Sequence, residues 1–196
     1  FQEHHYQEKD GQYVVEGDMV FDRVYPLDYL EQNPELAQPE HSANSVVISS
    51  NSYRWTNKVV YYNISTATTS MVEQAIRHWE AQSTFRFVNS TASHYINFKN
   101  DGTGNGCYSN VGNIGGGSQD IQVEDACGSG STAHEIGHAL GIYHEQSRND
   151  RNSNVIIHTD RIQSGKEGNY DIASSATDFG PYDFNSIMHY GSYYFA

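Results

Sequence analysis

Two histidines, His134 and His138, stand four residues apart, with Glu135 beside the first and a third histidine, His144, further on in the run HEIGHALGIYHE. On an α-helix, residues i and i+4 share a face one turn apart, so both imidazoles reach one metal ion. Glu135 then sits where a carboxylate takes a proton from water at that metal. A third ligand at His144 cannot stay on the same helical face, so the chain must turn sharply after Leu140. Gly141 is the residue type that takes the left-handed conformation such a helix end needs. Three neutral nitrogen ligands leave one position of a tetrahedral zinc open, the catalytic and not the structural arrangement. An amphipathic helix with surface histidines is the plain alternative to a bare HExxH. The added glycine and third histidine argue against it.

The elements that must position these groups are readable in part. Lys58–Ile64 is β-branched and aromatic and predicts a strand. Ser70 and Glu73 resemble a capping box, and Val72, Ala75, Ile76 and Trp79 follow at helical spacing, predicting a helix over 70–82. Short strands are expected at Phe85–Val88 and Tyr95–Phe98. The alternating segment Asp120–Glu124 predicts an edge strand, and the metal helix spans about 130–141. The order β-α-β-β-β-α predicts a twisted sheet backed by two helices. The glycines between Gly102 and Gly117 form a loop region that lacks the setting of a nucleotide site. Val155–Ile157 is either a short strand or a helix start.

The chain has 196 residues, enough for one sizeable core or a small two-lobed unit. The formal net charge of -13 argues against nucleic acid or anionic lipid as a partner. No apolar run approaches the length of a membrane span. Cys107 and Cys127 are the two cysteines. Two buried free thiols are one reading. The Gly-rich setting favours a disulfide and an oxidising compartment. Asn63-Ile-Ser and Asn89-Ser-Thr are glycosylation sequons. Residues 1–45 are polar and acidic, hold Pro26, Pro34 and Pro39, and predict an irregular segment draped over something else. Within it, Val14–Phe21 predicts an extended stretch with a tight turn at Gly17-Asp18.

Four stretches together resemble the astacin family of metzincin zinc peptidases. They are the zinc motif with Glu145 directly after His144, the run HEQSRNDR from His144 to Arg151, the Met-turn sequence SIMHY from Ser186 to Tyr190, and Gly17-Asp18-Met19, which is similar to the family's FxGD propeptide motif with Val15 in place of Phe. The resemblance implies an α+β, zincin-like two-lobed catalytic domain. Its sheet would be mostly parallel with an antiparallel edge strand and two helices, preceded by an irregular propeptide. Residues 1–45 would be the propeptide, 46–143 the N-terminal lobe and 144–196 part of the C-terminal lobe, with activation cleavage near Ser45–Val46.

The resemblance also implies roles. One catalytic zinc would be held by His134, His138 and His144, with Asp18 as an inhibitory fourth ligand in the zymogen. Glu135 would be the general base and Tyr190 the donor to the oxyanion. Met188 would form a hydrophobic floor, Glu145 would bind the new N-terminus, and Cys107–Cys127 would match a family disulfide. Thr84 stands where the first cysteine of a second family disulfide is expected, and the chain stops roughly 40 residues short of the family's usual end. The implied activity is zinc endopeptidase action on extended protein or peptide substrates lying along Ile121–Val123, after release by an activating protease. The chain is expected as a secreted monomer, extracellular or, in a bacterium, periplasmic. A secreted zinc-binding recognition module or pseudo-protease is the competing reading, and retention of Glu135 and Tyr190 argues against it.

Overall fold

The computed structural model describes residues 6–9, 12–15, 19–21, 45–102, 104, 106–174 and 176–195. The centre is a five-stranded sheet built from β5 (Val59–Ile64), β6 (Arg86–Asn89), β7 (Tyr95–Lys99), β8 (Tyr108–Ser109) and β9 (Ser118–Gln122). Its order is β6-β5-β7-β9-β8. The first four strands run parallel, and β8 is antiparallel to β9 through Tyr108↔Gln122 and Ser109↔Ile121. Alternation along β7 buries Ile96 and Phe98 under the helices, as the two-residue period of a strand requires.

Helix α1 (Thr69–Gln82) buries Met71, Val72, Ala75 and Ile76. The i, i+3, i+4 stripe thus becomes the face that meets the sheet and helix α2 (Gly128–Ala139). The core joins Val60, Ile96, Phe98, Ile121 and Val123 of the sheet region to Ala133, Ile136 and Ala139 of α2. Both tryptophans tie into α2 as well. Trp55 Nε1 donates to the Ala139 carbonyl (2.9 Å) and Trp79 Nε1 to the Ala133 carbonyl (2.7 Å). Burying an indole without a partner for its N–H is costly, and both find one.

Strand β4 (Ser45–Ile48) pairs antiparallel with β10 (Ala176–Phe179). On its other side β4 grips the segment that leaves α2: Ile48 N–H donates to Gly141 O and Tyr143 N–H to Val46 O, both at 2.8 Å. The half after His144 has no α-helix among its described residues. It runs through short 3-10 turns at Glu145–Ser147, Arg151–Ser153, Thr159–Arg161 and Glu167–Tyr170. Near the N-terminus, β1 (Tyr6–Lys9), β2 (Gln12–Val15) and β3 (Met19–Phe21) form an antiparallel meander.

Several expectations change. Ser70 lies inside α1, not at its cap. The N-cap residue is Thr68, and its hydroxyl donates to Asp125 Oδ1 (2.7 Å) and makes no cap bond. A tertiary tie between the two helix starts has replaced the local capping box. The strand expected at Asp120–Glu124 spans Ser118–Gln122 and is not the sheet edge, because β8 covers Ile121 and Gln122. The antiparallel edge strand is therefore β8, pinned at its start by the Cys107–Cys127 disulfide. Val155–Ile157 has no regular structure. The N-terminal segment is not wholly irregular, since β2 and β3 pair within the stretch Val14–Phe21. The turn at Gly17-Asp18 lies outside the described residues.

Candidate active site

Helix α2 carries the first two histidines, and its end delivers the third. Gly141 has φ +99°, and a Cβ there would stand 2.8 Å from Ile48 Cγ2. Only glycine takes that conformation cheaply. The chain reverses, and His144 returns toward α2.

The three rings converge. His144 Nε2 lies 3.2 Å from Nε2 of His134 and 3.2 Å from Nε2 of His138. On the far side of two rings, backbone carbonyls accept. His134 Nδ1 faces Ile187 O at 2.8 Å, and His138 Nδ1 faces Ile142 O at 2.8 Å. A carbonyl only accepts, so each Nδ1 carries the proton and each Nε2 turns its lone pair inward. Two inward lone pairs and the Nε2 of His144 at this separation suit a cation. Nitrogens about 2.0–2.1 Å from a tetrahedral zinc lie about 3.3–3.4 Å apart. Burial pushes His138 down to about 4 and His144 down to about 2, with the neighbouring histidines adding to the effect. Both are neutral near pH 7, the form that binds a metal. The donor set and its geometry fit zinc.

Glu135 is the residue after His134 and is buried in α2. Its carboxylate lies near enough to Tyr190 to help raise the phenol. That phenol is pushed up to about 12, mainly by burial, with Tyr170 and Glu135 contributing. The Tyr190 ring sits 4.3 Å, centroid to centroid, from the His144 ring and stacks on Tyr194 at 5.2 Å.

The Met-turn is stitched to the histidine segment by the backbone. Ile187 O meets His134, Met188 O accepts the Glu145 N–H (2.9 Å), and the Tyr190 N–H donates to Gln146 Oε1 (3.0 Å). Met188 is buried against α2. A Cβ on Gly137 would come 2.5 Å from Met188 Sδ and 3.0 Å from Trp79 Cζ2. Gly137 is the gap into which the sulfur fits. Gly137 and Gln146 were not foreseen as site residues. The glycine inside the motif was the available signal for the first. The role of Gln146 depends on a contact 44 residues away.

Glu145 is fully buried. Its Oε1 accepts from the Asp183 N–H (3.0 Å) and pairs with Arg148 Nη1 (3.3 Å). Its Oε2 has no partner, one of three such buried side-chain atoms among the described residues. Burial raises its carboxyl pKa, while the Asp183 N–H and the Arg148 charge lower it, and the net direction is up. Arg148 also makes a bidentate pair with Asp150 (2.8 Å twice) and donates to the carbonyls of Phe179, Gly180 and Pro181. The structure thus groups His134, Glu135, His138, His144, Met188 and Tyr190, with Glu145 directly behind. Cys107 and Cys127 are bonded to each other. Asp18 lies outside the described residues.

A convergent HExxHxxGxxH triad with a buried Met-turn, on a mixed sheet with two helices, is the arrangement of the zinc metallopeptidase class. The chain belongs to the astacin family: the family model for the astacin peptidases matches residues 47–196. Among relatives, the chain is 40% identical over 160 residues to Protein SpAN of Strongylocentrotus purpuratus, covering 74% of this chain and 26% of that protein. It is 33% identical over 195 residues to Astacin-like metalloprotease toxin 1 of Loxosceles intermedia, covering 95% of this chain and 67% of that protein. Among solved structures, High choriolytic enzyme 1, a hatching enzyme zinc-protease from Oryzias latipes, matches with TM-score 0.66 and 32% identity. That match covers 78% of this chain and 80% of the other. The chain spans about a quarter of the length of Protein SpAN and of Blastula protease 10 of Paracentrotus lividus. Family members use one catalytic zinc, and His134, His138 and His144, whose ligand atoms all lie within 4.8 Å of one another, are the group here that could hold it.

Proposed function

We propose that this chain is a secreted zinc endopeptidase held in a latent state by residues 1–45. The observation that carries the reading is the convergence of three Nε2 atoms, with two of the rings held at Nδ1 by carbonyls, beside a buried glutamate. His134, His138 and His144 hold the ion, which supplies Lewis acidity to water and to a peptide carbonyl. Glu135 takes the proton of the attacking water. The water oxygen adds to the scissile carbonyl carbon. Tyr190, kept protonated by its raised pKa, donates to the developing oxyanion. Glu135 returns the proton to the amide nitrogen, and the C–N bond breaks.

Met188 and Gly137 set the floor under the triad, and Gly141 sets the return of His144. The extended substrate pairs with the edge strand β8 at Tyr108–Ser109, since β8 covers Ile121 and Gln122. Asp18 supplies the fourth ligand in the latent state. Cleavage near Ser45–Val46 releases it, and Glu145, with an oxygen left unpaired in the latent chain, receives the new amino group. The Cys107–Cys127 bond fits an oxidising, secretory setting.

One experiment compares three proteins before and after proteolytic activation: the parent, Glu135→Gln and Asp18→Ala. Each is assayed on a quenched peptide, with zinc content measured alongside. The expected result is zinc in all three, chelator-sensitive cleavage by the parent, a loss of at least about 100-fold in Glu135→Gln, and activity of Asp18→Ala before activation. A zinc-loaded Glu135→Gln protein that cleaves at the parent rate refutes the role of Glu135. Unchanged latency of Asp18→Ala refutes the propeptide reading.

A further inference from the structure

Two sequons lie in this chain, and the fold treats them differently. Asn63 is half-buried in β5, an interior strand paired on both sides. Its Nδ2 donates to Asn97 Oδ1 (3.1 Å), Asn97 Nδ2 donates to Asp120 Oδ1 (2.9 Å), and Asp120 Oδ2 pairs with Lys99 Nζ (2.8 Å). The amide nitrogen a sugar would occupy is thus the head of a polar ladder across β5, β7 and β9. The sequon hydroxyl, on Ser65, donates to Phe98 O (3.2 Å).

Asn89 is the opposite case. It is the last residue of β6, an outer strand of the sheet, and Asn89, Ser90 and Thr91 are all exposed. The Ser90 N–H donates to Tyr62 O (2.9 Å), which fixes the backbone of the sequon while its side chains face water. On the open side of β6 the Phe87 N–H donates to Glu80 Oε1 (2.9 Å), and the side chains of Arg86 and Val88 are exposed along an edge with no partner strand among the described residues. An uncovered strand edge is a template for pairing with other chains unless something blocks it.

From this contrast we infer that Asn89 carries an N-linked glycan in the secreted protein, that Asn63 does not, and that the glycan shields the outer edge of the sheet. This rests on the secretory reading above. In the reaction, the Asn89 amide nitrogen attacks the anomeric carbon of a lipid-diphosphate-linked oligosaccharide. The C–N bond forms, the bond from that carbon to the diphosphate oxygen breaks, the nitrogen loses one proton, and the lipid diphosphate leaves with the electron pair. No oxidant or reductant is involved. At Asn89 the product extends into solvent. At Asn63 it would break the ladder to Asn97.

The test uses the full chain secreted from insect or mammalian cells, as the parent, Asn89→Gln and Asn63→Gln. Peptide mapping after glycan release in heavy-oxygen water reads occupancy at each asparagine, and the same map reads the Cys107–Cys127 bond. The expected result is label at Asn89 and none at Asn63. Asn89→Gln should lose one glycan step of gel mobility, and Asn63→Gln should lose none. On concentration, Asn89→Gln should self-associate more than the parent. A disulfide-bonded chain with unmodified Asn89 overturns the glycan assignment and leaves the secretory reading standing. Free thiols together with unmodified Asn89 overturn both. Label at Asn63 overturns the discrimination between the two sites, and unchanged self-association of Asn89→Gln overturns the shielding role.

Discussion

Replacing Gly141 with alanine tests the turn that brings His144 to the metal. Two costs have the same sign. An alanine forced to φ +99° sits in left-handed space, at about 1–2 kcal/mol. Its Cβ would lie 2.8 Å from Ile48 Cγ2, an overpacking penalty of about 1–3 kcal/mol. Alanine also restricts the unfolded chain, which offsets about 0.4–1 kcal/mol. The net expectation is a loss of roughly 1–4.5 kcal/mol, or roughly 2–18 °C in Tm for a chain of this size.

Denaturant melts in chelator isolate this folding cost from metal binding. A second arm adds Ile48→Ala, which removes the clashing atom. The double variant should be less destabilised than the sum of the singles by about 1–3 kcal/mol. Ile48 N–H also holds Gly141 O, so a turn that relaxes should weaken zinc binding in a competition assay. A metal-free Gly141→Ala protein with the parent's midpoint, or strict additivity in the cycle, refutes the reasoning. Gly137→Ala makes an informative contrast. There a clash with Met188 opposes a gain of about 1 kcal/mol in helix propensity, so its loss should be the smaller of the two.

The Cys107–Cys127 bond closes a loop with a sequence separation of 20, for which chain entropy gives about 3.3 kcal/mol. Changing both cysteines to serine should lower the unfolding free energy by about that amount in denaturant melts, and an unchanged midpoint contradicts it. In the metal-free chain, His138 and His144 have folded pKa values near 4 and 2, below the unfolded value of about 6.5. The unfolded chain therefore binds their protons first, so stability is present above pH 6.5 and is lost as pH falls toward 4. The slope approaches about 2.7 kcal/mol per pH unit when both contribute. Melts in chelator across this range should show it, and His144→Gln should flatten it. A parent curve that is level between pH 6.5 and 4 contradicts the assignment.

The metal triad was legible because i, i+4 spacing on a helix is a local property and glycine is the local solution to the turn after it. The hydrophobic stripe of α1 and the β-branched β5 were legible for the same reason. The position of the sheet edge was not. Asp120–Glu124 alternates as an edge strand does, but its outer side is taken by two residues, Tyr108 and Ser109, too few to carry a period of their own. The cap of α1 failed for a related reason. Ser70 and Glu73 fit the capping pattern, yet the helix starts at Thr69 because Thr68 is tied to Asp125 across the fold. Gln146 was hidden by distance along the chain: nothing near it announces that its amide will hold the backbone of Tyr190.

The carbonyls behind His134 and His138 have one more consequence. In many metal centres the proton on the outer ring nitrogen is held by a carboxylate, a partner that one codon change removes. Here the acceptors are the main-chain oxygens of Ile187 and Ile142, and every residue type supplies an equivalent oxygen. Substitution at positions 142 and 187 can alter packing without deleting the acceptor. The orientation of these two rings is thus inherited with the path of the backbone, and sequence drift reaches it only by moving the Met-turn or the turn at Gly141.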